Sequence, residues 1–293
     1  MTDSGIRTVA ITGSSGYLGG LLRGRLKEDG LRVISLSRTS TGSESRRYVI
    51  EESLSPDLLS DVDALVHCAY DMKVRRERDI WAVNVEGSRR LLEYALSSGV
   101  RRTIVLSSMS AFEGTQQLYG RSKLAIESIA LKNQAIPIRP GIVYGPNAGG
   151  MAGALTALTR LPVVPVVASR SHQFTLHEDD FTAAISALIS AKDTGWVPVG
   201  LANPVPVSFR DLIAGLARLS GRNCRTVPLD WRLVLAGLRA CEALRIDLPF
   251  RADSLVGLAN PAPMVPNLEV WHDLGITLRR FGQPVPGPPS NGE

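Results

Sequence analysis

The sequence predicts an α/β protein with a doubly wound parallel sheet, followed by a smaller and mostly helical C-terminal substrate domain. Three observations lead to this prediction. Short apolar runs of strand length alternate with amphipathic helical stretches through the first half of the chain. A glycine-rich turn directly follows the first of these runs, and the alternation ends after Gly145, where segments rich in Gly, Ala and Pro begin.

Each strand of the sheet is predicted from a continuous apolar run, which is typical of strands buried on both faces. These runs are residues 8–12, 32–37, 63–69, 102–108 and 137–145. Helices are predicted between them, at residues 17–28 and 80–97, because leucines recur there at helical spacing. Residues 195–202 are predicted to add a further strand to the sheet.

The second half of the chain is predicted to contain mainly helices. A capped helix is expected at 177–190, with Asp179 or Asp180 as its N-cap. Further helices are expected at 209–220, 231–245 and about 251–258. We therefore assign residues 1–147 and 172–203 to the sheet domain, 148–171 and 204–281 to a substrate-side region, and 282–293, which are rich in Pro and Gly, to a disordered tail.

Composition excludes several classes of protein. The chain has 293 residues, of which 44% are hydrophobic, so it can bury a large core. A net charge of +5 is too small and dispersed to indicate nucleic-acid binding. The N-terminus lacks the pattern of a signal peptide, and no apolar stretch has membrane-spanning length, so we expect a cytoplasmic protein without a membrane partner.

Cysteine and histidine spacing predicts neither disulfides nor a metal site. Cys68, Cys224 and Cys241 are far apart and form no C-x-x-C motif. The group of His172, His177 and residues 178–180 fits no common set of metal ligands, and a helix N-terminus explains its acidic residues. We expect no bound metal.

The turn after the first strand predicts a dinucleotide site. "TGSSGYLGG" places Gly13, Gly16 and Gly19 at intervals of three before a helix. Glycine permits a tight turn there and allows backbone N–H groups at the helix N-terminus to approach a pyrophosphate. This order of strand, glycines and helix predicts a Rossmann domain. The expected cofactor contacts at the turn are Gly13, Ser14, Ser15, Gly16, Tyr17, Leu18 and Gly19.

The end of the second strand favours NADP over NAD. Ser37 and Arg38 stand there with no carboxylate nearby in the sequence. An acidic residue would accept a hydrogen bond from the ribose 2′-hydroxyl of NAD, whereas an arginine flanked by hydroxyls suits the 2′-phosphate of NADP. The alternative is that Arg38 is an ordinary surface residue at a strand end.

A tyrosine and a lysine lie four residues apart in "LYGRSKLAIESIA". Residues at i and i+4 share one face of a helix, so Tyr119 and Lys123 can both point into one cleft. The alternative is a tyrosine packed at the edge of the core beside a solvated lysine.

The motifs occur in the order found in the short-chain dehydrogenase/reductases. The chain resembles most closely the extended and atypical members, which form the NAD-dependent epimerase/dehydratase-like group, over about residues 6 to 203. The motifs that carry the resemblance are the glycine turn, "LVHCA", Asn84 in "NVEGSRRLLEYA", "VLSSMSAFEG", "YGRSK" and "IRPGIVYGP".

The resemblance implies a catalytic group. Tyr119 would exchange a proton with the substrate oxygen, and Lys123 would favour the phenolate and hold the nicotinamide ribose. Ser108 would hydrogen-bond the substrate oxygen, with Ser107 or Ser110 as alternatives. Asn84 would support the proton path or the neighbouring backbone. The further expected cofactor contacts are Cys68, Ala69, Pro140, Ile142 and Val143.

Two departures from the family pattern argue against a nucleotide-sugar substrate and against dehydration. Residues 109–118 form a short connection between Ser108 and Tyr119, and Met109 and Ser110 replace the Asp-Glu pair of the sugar dehydratases. The apolar segments "MAGALTAL" and "LPVVPVV" are expected to line the substrate side, with Arg139 or Arg170 as a local anion contact.

We therefore expect an NADPH-dependent oxidoreductase that reduces a carbonyl, or oxidises the alcohol, of a small to medium organic metabolite. The alternatives are an epimerase acting on sugars or nucleotide sugars and a non-catalytic cofactor-binding structural or sensor protein. The expected partner is the small-molecule substrate, with a homodimer left open and no nucleic acid.

Overall fold

The computed structural model describes residues 5–40, 42–167, 171–191, 195–244, 246 and 250–283. Its strands, in chain order, are β1 Thr8–Thr12, β2 Arg32–Ser37, β3 Ser45–Arg47, β4 Ala64–His67, β5 Arg102–Leu106, β6 Ala135–Pro140, β7 Ile142–Tyr144, β8 Val163–Val167, β9 His172–Gln173, β10 Thr175–His177, β11 Val199–Leu201, β12 Val207–Ser208 and β13 Arg225–Leu229.

The helices lie mainly between these strands. They are α1 Tyr17–Glu28, α2 Glu77–Ile80, α3 Glu86–Ser97, α4 Leu118–Lys132, α5 Gly150–Leu158, α6 Glu178–Ser190, α7 Phe209–Leu219, α8 Trp231–Ala243, α9 Ala252–Ala259 and α10 Glu269–Asp273. A π-helical turn, Trp81–Val85, joins α2 to α3.

The predicted doubly wound parallel sheet is confirmed. Seven strands lie in the order β11-β6-β5-β4-β1-β2-β3, and every pair is parallel. The chain first runs from β1 to one edge and then restarts at β4 towards the other edge. Thr12 of β1 aligns with His67 of β4, so the carboxyl ends of these two strands form the switch point where such sheets bind ligands.

Two separate cores support the sheet and the helical region. Strands β1, β4 and β5 are buried along their whole lengths because helices cover both faces of the sheet. The second core joins α5, β8, α7, α8 and α9. Trp271, in the segment 204–281 assigned to the substrate side, instead packs in the sheet core and donates a hydrogen bond to the Gly200 carbonyl at 2.6 Å.

The structure corrects three details of the predicted elements. Residues 137–145 form two strands, because β7 leaves the large sheet to pair with β10. The N-cap of α6 is His177, whose Nδ1 accepts from the Asp179 N–H at 3.2 Å, and is neither Asp179 nor Asp180. Strands β8 and β13, which were not predicted, form a parallel pair in the C-terminal region. Residues 284–293 of the predicted tail lie outside the described residues.

Candidate active site

Helix α4 places Tyr119 and Lys123 one turn apart, facing a cleft at the carboxyl edge of the sheet. Lys123 is buried, and its Nζ donates to the Leu106 carbonyl at 2.7 Å. The same ammonium lies 4.7 Å from the ring centre of Tyr70 and 5.7 Å from that of Tyr119. The lysine is therefore not solvated, and its charge is directed at two aromatic rings.

The three candidate serines have different surroundings. All three line the cleft. Ser107 is buried, and its Oγ donates to Glu127 Oε1 at 2.5 Å, so this hydroxyl is already engaged. The Ser108 side chain hydrogen-bonds with Tyr119, and its Oγ also accepts from the Ser110 N–H at 3.1 Å. The geometry therefore favours Ser108 as the partner of Tyr119.

Burial governs the titration of this group. Desolvation and the neighbouring Tyr70 raise the pKa of Tyr119, while its hydrogen bond with Ser108 opposes that rise. Desolvation lowers the pKa of Lys123 to about 8, against the opposing influence of Cys68 and Glu127. Near neutral pH, Tyr119 is thus a protonated phenol beside a cationic lysine, an arrangement suited to proton donation.

Tyr70 belongs to this group although the sequence did not indicate it. Its ring meets the ring of Tyr119 edge-on, with centroids 5.1 Å apart. Its hydroxyl and Ser122 Oγ are 2.9 Å apart. Tyr70 follows "HCA" at the end of the fourth strand. Because the carboxyl ends of parallel strands meet at one edge of the sheet, this position could have indicated that Tyr70 lies near the catalytic group.

The start of α4 is held in place by contacts that are distant in sequence. The Asp253 carboxylate accepts from the backbone N–H groups of Leu118 at 2.8 Å and Tyr119 at 3.2 Å. A side chain at Gly120 would place its Cβ only 2.2 Å from the Ser110 carbonyl oxygen. Glycine at that position therefore allows the helix to approach the serine loop.

The glycine turn leaves room for a ligand at the N-terminus of α1. Gly13 has a φ of +65°, and a Cβ there would lie 3.1 Å from the Ala69 backbone. A Cβ on Gly19 would lie 2.3 Å from the Gly13 carbonyl oxygen. These glycines keep backbone amides open at a helix N-terminus, so the turn fits the pyrophosphate of a nicotinamide dinucleotide.

A buried hydrogen-bond chain ties this turn to Asn84. Thr12 Oγ1 accepts from the Cys68 and Ala69 N–H groups at 3.0 Å, so it donates to His67 Nδ1 at 2.8 Å. Nε2 of the same imidazole then donates to Ser88 Oγ at 2.9 Å, and Ser88 donates to the Asn84 carbonyl at 2.7 Å. Burial lowers the pKa of His67 to about 3, so the ring stays neutral.

Asn84 lies behind the cleft, in the π-helical turn, and is fully buried. Its side chain accepts from the Asp71 N–H at 2.6 Å and donates to the Asp71 carbonyl at 3.2 Å. It therefore holds the backbone that follows Tyr70, and it does not line the cleft.

The cleft has a volume of about 530 Å³ and brings together most of the predicted residues. Those that line it are Gly13, Gly16, Tyr17, Leu18, Gly19, Cys68, Ser108, Tyr119, Lys123, Pro140, Ile142 and Val143. Those that do not line it are Ser14, Ser15, Ser37, Arg38, Ala69 and Asn84. Arg38 is exposed at the end of β2, while Ser37 Oγ donates to the Thr39 carbonyl at 2.6 Å.

The part of the cleft beyond the catalytic group is lined mainly by apolar side chains. They come from several elements and include Met72, Val74, Ile80, Met109, Met151, Phe174, Phe250 and Leu258. Arg251 is the cation on this side among the described lining residues. The expected anion contact by Arg139 is wrong, because its guanidinium pairs with buried Glu127 at 2.6 Å. Arg170 lies outside the described residues.

The described part of the chain contains no group of three or more His, Cys, Asp or Glu side chains placed to hold a metal ion. Within it, no helix is both long and apolar enough to cross a membrane.

The chain matches one protein family and is similar to proteins with two different activities, a reductase and an epimerase. Residues 9–196 match the family described as "NAD dependent epimerase/dehydratase family". A ceramide reductase from Caulobacter vibrioides is 29% identical over 241 residues, covering 78% of this chain and 76% of that protein. A UDP-glucose 4-epimerase from Mycolicibacterium smegmatis is 28% identical over 162 residues, covering 49% of this chain and 48% of that protein.

The fold is shared with solved structures. MoeE5 in complex with UDP-glucuronic acid and NAD superposes with a TM-score of 0.71 at 21% identity, covering 93% of this chain and 94% of that one. At this identity the likeness shows the fold alone.

Proposed function

Because the chain belongs to the NAD-dependent epimerase/dehydratase family, we propose that it is an NADPH-dependent reductase acting on a ketone within a largely apolar substrate. The observation that carries the proposal is the group of Tyr119, Ser108 and the buried Lys123 in a cleft whose far side is mainly apolar. The resemblance to a ceramide reductase supports the same reaction and a lipid-like substrate.

The chemistry follows from the positions of the side chains. Bound nicotinamide supplies the hydride for the carbonyl carbon. Ser108 and Tyr119 would direct their hydroxyls at the carbonyl oxygen, where negative charge develops. Tyr119 gives its phenolic proton to that oxygen, so the ketone becomes a secondary alcohol. The ammonium of Lys123 then stabilises the phenolate that remains, because opposite charges attract strongly in a buried site.

The preference for NADPH rests on the end of β2. Arg38 is exposed there, and none of the neighbouring residues 37–40 is acidic. A charge-assisted contact with the 2′-phosphate is worth about 1.5 to 3 kcal/mol, or roughly ten- to hundredfold in affinity. Arg38→Ala should therefore remove most of the difference in Kd between NADPH and NADH. Equal binding of the two cofactors by the wild type would contradict this assignment.

The substrate class is tested by a panel of carbonyl compounds. The purified protein would be incubated with NADPH and a ketone-bearing ceramide-type lipid, short ketones, aldehydes and nucleotide sugars, while absorbance loss and product mass are followed. We expect turnover of the lipid ketone, because the apolar lining favours burial of aliphatic chains. Exclusive turnover of a polar compound would overturn the assignment.

Epimerisation is the second candidate function, and the similarity to a UDP-glucose 4-epimerase favours it. The same tyrosine would then serve oxidation and re-reduction of one carbon, without net consumption of cofactor. Arg251 is the cation on the substrate side of the described lining; the uncharged polar side chains there, Gln117, Gln173, Ser254 and Asn260, supply no positive charge for a diphosphate. Loss of NADPH in step with product formation separates reduction from epimerisation.

A further inference from the structure

Helix α8 is apolar on nearly all sides, yet it lies on the surface. Among its 13 residues the charged ones are Arg232, Arg239 and Glu242, and only Leu235 is buried. A helix with apolar side chains all round is normally enclosed by other structure. Its inner side packs into the second core through Leu235, with Val234 and Leu238 partly buried beside it.

The outer face of α8 is an exposed apolar stripe. Leu233 and Leu244, at the two ends, are 75% and 72% exposed. Ala236, Gly237 and Ala240 lie between them and are also exposed. Their spacing of three and four residues places them on one side of the helix.

The neighbouring strand pair presents a second apolar face. In the parallel pair of β8 and β13, Val163 aligns with Arg225, and Pro165 aligns with Val227. Val163, Val227 and Leu229 are each exposed by 46–47%. The alternate residues Val164 and Val166 are buried in the second core, as expected for a sheet with one covered face. We call the outer stripe of α8 the C-terminal apolar surface; the exposed strand face precedes it directly in the chain.

Positive charge exceeds negative charge on α8 and the preceding strand β13. Arg225, Arg232 and Arg239 are exposed, and among the described residues none of them has a carboxylate partner. The nearby acids are engaged in helix capping. Asp230 accepts from the Arg232 N–H at 2.8 Å, and Glu242 accepts from the Ala252 N–H at 3.0 Å.

The surface adjoins the cleft. Helix α8 packs on α9, and Ser254, Gly257 and Leu258 of α9 line the cleft. At the cleft itself, Met72 is 54% exposed although it belongs to the lining. Exposed apolar side chains therefore lie both in the cleft lining, at Met72, and on α8, the helix that packs against the α9 wall of the cleft.

We propose that the C-terminal apolar surface docks the protein on an anionic lipid bilayer, from which the cleft takes its substrate. Apolar side chains flanked by arginines are the pattern of helices that lie in a membrane interface. A symmetric contact with a second copy would instead bring the same arginines together. The proposal departs from the expectation of no membrane partner, because interfacial binding needs one apolar face and no spanning segment. The delivery of substrate rests on the proposed function, whereas the docking does not.

Flotation with vesicles tests the docking. The full chain would be mixed with vesicles of equimolar phosphatidylglycerol and phosphatidylcholine, or of phosphatidylcholine alone, without substrate or cofactor. We expect the wild type to float with the anionic vesicles and to bind the neutral ones about tenfold or more weakly. Leu233→Gln/Leu244→Gln and Arg232→Gln/Arg239→Gln should each weaken binding to anionic vesicles by about tenfold or more. Leu96→Gln and Arg23→Gln, exposed sites on α3 and α1, are the matched controls.

The outcomes separate docking from catalysis. Leu233→Gln/Leu244→Gln should retain wild-type turnover of a soluble short-chain ketone, because neither residue lines the cleft. Vesicle binding without any ketone reduction would uphold docking and overturn the proposed function. Absence of wild-type binding to anionic vesicles would overturn docking, as would equal binding by the double leucine variant. A dimer that becomes monomeric in that variant, without vesicle binding, would assign the surface to a second copy instead.

Discussion

Arg139→Met should cost the protein much of its stability. The Arg139 guanidinium donates to Glu127 through Nε at 2.8 Å and through Nη2 at 2.6 Å. The two side chains are only 15% and 3% exposed. Glu127 also accepts from Ser107, so the pair joins α4 to the ends of β5 and β6. Methionine fills similar space but leaves the buried carboxylate without its cation.

The magnitude follows from this burial. Removing one partner of a buried ion pair costs about 3–5 kcal/mol, because an unpaired charge remains in a poorly solvated site. Arg121, on the same helix as Glu127, provides the control. It pairs with Glu77 at 2.8 Å, but both side chains are about half exposed. Arg121→Met should therefore cost no more than about 1 kcal/mol.

Urea denaturation of the cofactor-free protein measures both values. A third variant, Glu127→Gln/Arg139→Met, removes both charges and should recover part of the loss seen with Arg139→Met. The reasoning is refuted if Arg139→Met loses no more free energy of unfolding than Arg121→Met. It is also refuted if the double variant is less stable than Arg139→Met.

The other predictions concern the catalytic group and the glycine turn. Tyr119→Phe should lower kcat by about 10²-fold or more while leaving the cofactor Kd nearly unchanged, because only the proton-donating oxygen is removed; retention of most of kcat would require another acid. Because burial lowers the pKa of Lys123 to about 8, its ammonium is present below that pH and lost above it. The value of kcat/KM for reduction should therefore fall as pH rises through about 8, and a flat profile would contradict this role. Gly19→Ala should raise the cofactor Kd by about tenfold or more, since its Cβ would meet the turn; Gly24→Ala, which meets nothing within 4 Å on the same helix, should leave the Kd unchanged.

Local sequence signals predicted the cofactor half of the molecule closely. Strand β1 and helix α1 have the predicted bounds, because consecutive residues carry the signals for the strand, the glycine turn and the helix. The spacing of Tyr119 and Lys123 is likewise a local helical property. Both side chains line the cleft as expected.

Long-range contacts explain what the sequence did not reveal. The carboxylate of Asp253 reaches the N-terminus of α4 from 135 residues away, and the pairing of Arg139 with Glu127 depends on how α4 meets β6. The parallel pairing of β8 with β13 crosses about sixty residues of chain, and a short apolar run does not specify its partner. The imidazole cap at His177 was missed because histidine is not a favoured N-cap residue.

The fate of the hydride tests the central claim most directly. The protein would be incubated with a ketone-bearing ceramide-type lipid in anionic vesicles and with NADPH deuterated at the transferable position of the nicotinamide. Tyr119→Phe would serve as the blank. The account predicts that the product alcohol carries deuterium on the former carbonyl carbon, with NADPH consumed in equal amount. An unreacted lipid ketone, together with epimerisation of a nucleotide sugar without net loss of NADPH, would contradict it.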